Sequence, residues 1–189
     1  IFVRRRAGPA GAPPPFARGG AWHVGRTDRG EEIPVPTLPA WNALHPLVVH
    51  FPIALLLVVP LIIGVGIAGR AGRGVPGVAF LLLALGTGSA WLAVATGESA
   101  GQLAERLPGV ARILDRHEEL AETTRTLFTA LTLAYGGLLA VPRMLQRELP
   151  RGARVALHGG FLALYLAALG PLVGAAHLGG RLVHEKGVR

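Results

Sequence analysis

The chain has 189 residues, of which 51% are apolar and 16% are charged, and 19 Lys and Arg against 11 Asp and Glu give a net charge of +8. An average soluble domain carries about 25% charged residues, so this composition predicts a membrane protein with basic flanks. Cysteine is absent, which excludes disulfides, thiolate zinc sites, cysteine-ligated iron–sulfur clusters and covalently attached c-type haem on this chain.

The first 43 residues differ from the rest of the chain because they include six Gly and seven Pro. A segment of this composition buries too little apolar surface to fold by itself. We therefore predict an extended or disordered arm over residues 1–43 that becomes ordered against a partner. The folded domain is predicted to occupy residues 44–189.

Four long segments of this domain contain no Lys, Arg, Asp or Glu; they are residues 46–69, 74–97, 126–142 and 155–180. About 20 helical residues cross the hydrocarbon core of a bilayer. A soluble four-helix bundle would carry a charge in every turn or two, which these segments do not. We predict an all-α membrane four-helix up-down bundle whose third helix begins in the polar stretch before its apolar run. The predicted helices are residues 45–69, 75–98, 117–142 and 153–184.

The segment between the second and third predicted helices has its own apolar pattern. Between residues 101 and 116, Leu, Val and Ile recur at spacings of three and four residues. This pattern is typical of a short amphipathic helix lying in the membrane interface. Pro108 and Gly109 are expected to break that helix in its middle.

The distribution of basic residues predicts the orientation in the membrane. The loops after the first and third helices contain one acidic residue, Glu148, and six arginines: Arg70, Arg73, Arg143, Arg147, Arg151 and Arg154. Short loops rich in Lys and Arg remain in the cytoplasm. We therefore expect both termini on the other face, which is the periplasmic face of a bacterial inner membrane.

Alternating helices would bring five of the seven histidines to that periplasmic end, namely His45, His50, His117, His177 and His184. Ionisable groups at membrane depth are costly and usually functional. His50 and His177 lie at similar depth and are the leading ligand candidates, although each could instead be a packed side chain bonded to a helix carbonyl. His45, beside a proline at the membrane boundary, could also be an interfacial anchor.

These residues suit a haem of the b type, which needs two neutral imidazoles on opposing helices, an apolar slot and a cation near the propionates. In the fourth helix, His177, Arg181 and His184 share a face with two glycines, so Arg181 could pair with a propionate. Zinc is an alternative, because Glu98, Glu118 or Glu119 could join the same histidines. However, the sequence contains no close ligand pair of the kind found in H-E-x-x-H.

Several short motifs resemble one membrane family. They are His45-Pro46-Leu47-Val48-Val49-His50-Phe51-Pro52, Thr96-Gly97-Glu98, His117-Glu118 and Gly179-Gly180-Arg181-Leu182-Val183-His184. Over about residues 42–187, the chain resembles the predicted membrane family "domain of unknown function 2231". The resemblance implies four transmembrane helices and a relation to two-haem cytochromes b. It also implies His50 and His117 as the first haem ligands, followed by His177 and His184. Lys186 departs from the family pattern, in which many members have a histidine.

The sequence thus favours a membrane electron-transfer subunit that carries bis-His haem b near the periplasmic face of a respiratory or photosynthetic complex. By the same resemblance, a c-type cytochrome or a Rieske protein is a possible partner. The alternative is a cofactor-free structural or assembly subunit. An enzyme acting on a small molecule has no motif in its support. Nucleic-acid binding is not expected, because the basic residues lie in the arm and in membrane-flanking loops, where anionic lipid accounts for them.

Overall fold

The computed structural model describes residues 23–26, 32–35, 41–69, 74–105, 107–146 and 149–187. The chain separates into two compact units, Ile1–Pro39 and Ala40–Arg189. In the first unit, strand β1 (His23–Arg26) pairs antiparallel with strand β2 (Glu32–Val35). The composition of the arm did not predict this pair, because a four-residue strand gives little periodic signal among so many glycines and prolines.

In the second unit, the first membrane span begins after a 3₁₀ turn at Trp41–Ala43 and consists of α1 (His45–Val48) and α2 (His50–Ile67). Pro46 lies in the first turn of α1, where a missing N–H has no cost. Pro52 has no N–H for the carbonyl of Val48, four residues earlier. Val49, between α1 and α2, keeps helical dihedral angles (φ −59°, ψ −25°), so the two pieces form one membrane span, His45–Ile67.

The remaining spans are α3 (Val75–Ala104), α4 (Ala111–Met144) and α5 (Arg151–His184). All four spans are long and apolar enough to cross a membrane. The predicted all-α membrane four-helix bundle is confirmed. The helices α3 and α4 run further toward each other than predicted, because the polar residues between the two apolar segments are also helical.

The predicted interfacial helix over residues 101–116 is not a separate element, and this prediction was wrong. Its first residues complete α3 and its last residues begin α4. The two helices are separated at Pro108 and Gly109, and Gly109 has a φ of +73°, a left-handed conformation that favours glycine. Two residues of the apolar pattern, Val110 and Leu114, pack with Ala104 and Leu182 in a small core, whereas Leu103 and Leu107 are exposed.

The four spans form a closed ring in which each helix packs on its neighbour in sequence and α5 returns to α2. Within the described residues, the diagonal pairs α2/α4 and α3/α5 make no close backbone contact. The main core lies between the helices, and its largest buried side chains are aromatic. They are Phe128 and Tyr135 of α4 and Phe161 and Tyr165 of α5.

One core hydrogen bond compensates for a proline inside α2. Pro60 has no N–H to donate to the carbonyl of Leu56, four residues earlier. The hydroxyl of Tyr165 donates to that carbonyl at 2.8 Å from the facing helix α5. Tyr165 is completely buried, so this contact both satisfies a polar group in the bundle core and fixes α5 against α2.

We expect Tyr165→Phe to lower the free energy of unfolding by about 1–2 kcal/mol, because the Leu56 carbonyl then has no donor. The same change should cost clearly less in a Pro60→Ala background, where the new N–H of residue 60 can bond to Leu56. Unfolding of the four single and double variants in detergent, followed by circular dichroism, measures this coupling. Equal costs in both backgrounds would show that the hydroxyl does not replace the missing N–H.

Candidate functional site

Two histidines face each other across one end of the bundle, which we call the histidine end. His45 is the first residue of α1, and His117 lies in the second turn of α4. Their ring centroids are 6.4 Å apart, and the ring planes are almost perpendicular, at 82°. They belong to diagonal spans, so the structure brings together two imidazoles whose helices do not pack on each other.

Hydrogen bonds determine the tautomer of both rings. Nδ1 of His45 lies 3.0 Å from the carbonyl oxygen of Ala93, and Nδ1 of His117 lies 2.9 Å from the carbonyl oxygen of Ala175. A carbonyl can only accept, so each Nδ1 carries the proton and donates it. In a neutral imidazole, the Nε2 atom then has a free lone pair. Among the described residues, neither Nε2 atom has a hydrogen-bond partner.

A glycine lies against each of these rings. A Cβ on Gly97 would come within 2.9 Å of Cε1 of His45, and a Cβ on Gly179 within 3.1 Å of Cε1 of His117. Both distances are shorter than ordinary van der Waals contact. The absence of a side chain at these two positions therefore allows each imidazole to lie close to the neighbouring helix.

The two helix hairpins present the same local arrangement. In each, a histidine of the first helix bonds to a carbonyl of the second helix, four residues before the glycine that contacts the ring. His45, Ala93 and Gly97 form one set, and His117, Ala175 and Gly179 form the other. The site is thus built from two similar halves, each contributing one imidazole.

This arrangement is suited to binding one metal centre between the two rings. Two imidazoles that bind one metal through Nε2 at about 2.0–2.1 Å must have ring centroids no more than about 6.5 Å apart, and the separation of 6.4 Å meets this condition. Histidine ligands also usually donate their other N–H to a carbonyl or a carboxylate, as both rings do here.

In the described part of the chain, no group of three or more His, Asp or Glu side chains is close enough to hold a metal ion. The set with Glu98, Glu118 or Glu119 proposed for zinc does not assemble.

The structure does not bring the other predicted ligands to this pair. The side chains of His50, His177 and His184 are exposed. Arg181 forms an ion pair with Glu185, with both N···O distances at 3.0 Å. That hydrogen bond lowers the pKa of the Glu185 carboxyl. The pair formed in the structure is therefore His45 with His117, whereas the sequence ranked His50 and His177 first among the candidates and left the pairing open.

His158 lies away from this pair, as expected. Its Nδ1 donates to the carbonyl of Arg154 in its own helix, and its ring meets the edge of Tyr135. Two surface cavities of about 330 and 340 Å³ contain no histidine. The first is lined by Phe80, Gly136, Leu139, Ala140 and Arg143, and the second by Gly109, Ala111, Arg112 and Ile113.

Two kinds of contact at this site could not be read from the sequence. Backbone carbonyls of Ala93 and Ala175 orient the rings, and alanine gives no signal of that role. Gly97 and Gly179 did belong to the motifs that carried the family resemblance. The two glycines were therefore visible in the sequence as members of these motifs, but their contact with the histidine rings was not.

The family described as "Predicted membrane protein (DUF2231)" matches residues 42–189. The chain belongs to this family. The matched region of the DUF2231 protein includes all four spans and both facing histidines. No curated protein and no solved structure shows significant similarity to the chain.

Substituting the two ring-contacting glycines tests the geometry of the site. In Gly97→Ala and Gly179→Ala, the new Cβ should displace the adjacent imidazole and break its bond to the carbonyl. Overpacking of this kind costs about 1–3 kcal/mol, partly offset by the higher helix propensity of alanine. Nitrogen NMR of the histidine side chains in detergent should show loss of the corresponding Nδ1–H signal.

Matched controls lie on the same two helices. A Cβ on Gly88 of α3 or on Gly180 of α5 would meet nothing within 4 Å. Gly88→Ala and Gly180→Ala should therefore leave both Nδ1–H signals in place. If these controls changed the histidine signals as strongly as Gly97→Ala and Gly179→Ala, the close contacts would not be the cause.

Proposed function

We propose that this DUF2231 protein is a membrane electron-transfer subunit in which His45 and His117 are the two axial ligands of a b-type haem. One observation carries this proposal: two imidazoles on diagonal helices, each with Nδ1 bonded to a carbonyl, have ring centroids 6.4 Å apart, and neither Nε2 atom has a hydrogen-bond partner among the described residues. Two imidazoles are one of the ligand sets that hold a b-type haem, and this set needs no cysteine.

The donor chemistry of the site fits this group. When bound, the haem would supply one-electron redox chemistry. The residues of the chain would bind and orient this group. The carbonyls of Ala93 and Ala175 fix the tautomer of the two histidines. Gly97 and Gly179 have no side chain that would collide with the rings. Electron transfer needs no nucleophile or general base, in keeping with a site made of two neutral imidazoles and carbonyls. Arg181 is already paired with Glu185 and has no part in this proposal.

We further propose that the histidine end faces the periplasm of a bacterial inner membrane. The loops at the opposite end contain the six arginines that the positive-inside rule assigns to the cytoplasm. In this orientation, the haem would exchange electrons with a periplasmic donor such as a c-type cytochrome or a Rieske protein. The chain would act as one subunit of a larger respiratory or photosynthetic complex.

An optical spectrum tests the haem directly. Reduced-minus-oxidised absorption of the protein purified in detergent should show a sharp α-band near that of b-type cytochromes, at about 560 nm. His45→Ala and His117→Ala should each abolish the low-spin band, because either change leaves the iron one ligand short. A flat trace from protein expressed with ample haem supply would refute the proposal and favour the cofactor-free structural subunit.

Other histidine variants test the pairing. His158→Ala is the control, since this residue lies away from the pair, and it should retain the full band. His50→Ala and His177→Ala should also retain the band, because both side chains are exposed rather than paired. Loss of the band in either of these two variants, with retention in His45→Ala, would mean that the ligands are among the candidates ranked first from the sequence and not the facing pair.

The angle between the rings makes a second prediction for the oxidised protein. Ferric haem with nearly perpendicular axial imidazoles gives a highly anisotropic low-spin EPR signal, whereas parallel planes give a more rhombic spectrum. From the 82° between the planes of His45 and His117, we expect the highly anisotropic form. A rhombic signal from fully loaded wild-type protein would show that the bound rings do not keep this orientation.

A further inference from the structure

The two halves of the histidine site differ in one hydroxyl group. Nδ1 of His45 has a second acceptor besides the Ala93 carbonyl, namely Oγ1 of Thr96 at 3.3 Å. In the other hairpin, the residue three positions after Ala175 is Leu178, which has no hydroxyl. Among the described residues, His117 therefore has one acceptor, a carbonyl, and His45 has a carbonyl and a hydroxyl.

The surroundings of Thr96 orient this hydroxyl. The side chain is completely buried, at 0% exposure. Its Oγ1 lies 2.9 Å from the carbonyl of Leu92 and 3.1 Å from the carbonyl of Ala93, so its proton is donated back to its own helix. A hydroxyl has one proton and two lone pairs, and a lone pair is therefore left for the N–H of His45.

We propose that Thr96 is a positioning residue that fixes the ring plane of His45 and makes the two axial imidazoles unequal. This inference rests on the proposed function of the site. A single N–H···O bond leaves an imidazole free to turn about the direction of that bond. Two acceptors on different atoms of α3, together with the close contact at Gly97, restrict the ring to one plane.

The second acceptor also has an electronic consequence. Hydrogen bonds accepted from the Nδ1–H of a histidine ligand raise the basicity of its metal-binding nitrogen. With haem bound, His45 would be the stronger electron donor of the two histidines, which would favour the ferric form. Loss of the Thr96 hydroxyl should therefore move the midpoint potential of the haem to a more positive value and alter the angle between the rings.

The test uses the full chain in detergent with Thr96→Val, which keeps the shape of the side chain and removes the hydroxyl. Its optical redox titration should give a higher midpoint potential than wild type, and its ferric EPR signal should shift in anisotropy. Thr96→Ser retains a hydroxyl and should restore both properties toward wild type. A midpoint potential and an EPR signal unchanged in Thr96→Val would overturn the inference.

Thr87→Val is the matched control for a merely structural effect. Thr87 is also buried in α3, and its hydroxyl bonds to the Phe128 carbonyl and to Thr132 on the next helix, not to a histidine. This variant should be less stable but keep the wild-type potential and EPR signal. An equal shift in Thr87→Val would mean that loosened packing, and not the bond to His45, determines these properties, and would also overturn the inference.

A wild-type protein without haem would refute the proposed function but would leave the role of Thr96 open to a separate measurement. In haem-free protein, nitrogen NMR reports the Nδ1–H signals of His45 and His117 individually. Thr96→Val should shift the signal of His45 and leave that of His117 in place. An unshifted His45 signal would overturn the positioning role, independently of any cofactor.

Discussion

The structure depends on the requirement that polar groups of the backbone find their partners inside the protein when water is absent. Two prolines in the first span, Pro52 and Pro60, each remove a helical donor. At Pro52, near the start of the span, the carbonyl of Val48 loses its helical donor. At Pro60, in the bundle core, the helix continues because the Tyr165 hydroxyl from α5 replaces the missing N–H. The Tyr165 hydrogen bond thus holds α5 against α2 at the point where Pro60 interrupts the backbone hydrogen bonds of α2.

The histidine site follows from the same requirement. A helix carbonyl has two lone pairs, so one that already accepts a helical N–H can accept a second bond from a side chain. Ala93 and Ala175 use this capacity to receive the Nδ1–H groups of His45 and His117. The helices thereby satisfy one nitrogen of each ring and leave the other for a ligand. The same two hydrogen bonds thus satisfy polar groups inside the bundle and orient the two imidazoles.

Much of the fold could be predicted from the sequence, because uncharged segments of sufficient length define membrane spans. The number and order of the helices followed from this signal, and so did the clustering of histidines near one end. The helix ends were less certain, since the polar residues that separate two spans also favour helix. For this reason, the apolar residues after Gly101 were interpreted as a separate interfacial helix. Their spacing matched a helix, but spacing alone did not show that they belong to the ends of α3 and α4.

The pairing of the ligands could not be predicted, because it depends on small differences in rotation around each helix. His45 and His50 are five residues apart, so they point to different sides of the span. Depth in the membrane favoured His50, but the orientation of α1 and the glycine at position 97 select His45.

The diagonal placement of the two histidines has a consequence for assembly. Among the described residues, the backbones of the spans that contain His45 and His117 make no close contact, and the two facing rings are where these spans meet. A ligand bound by both rings would act as a cross-brace between the two hairpins, and its binding energy would add to the stability of the docked state over the separated hairpins. Acquisition of such a ligand and closure of the bundle would then be a single, mutually dependent step.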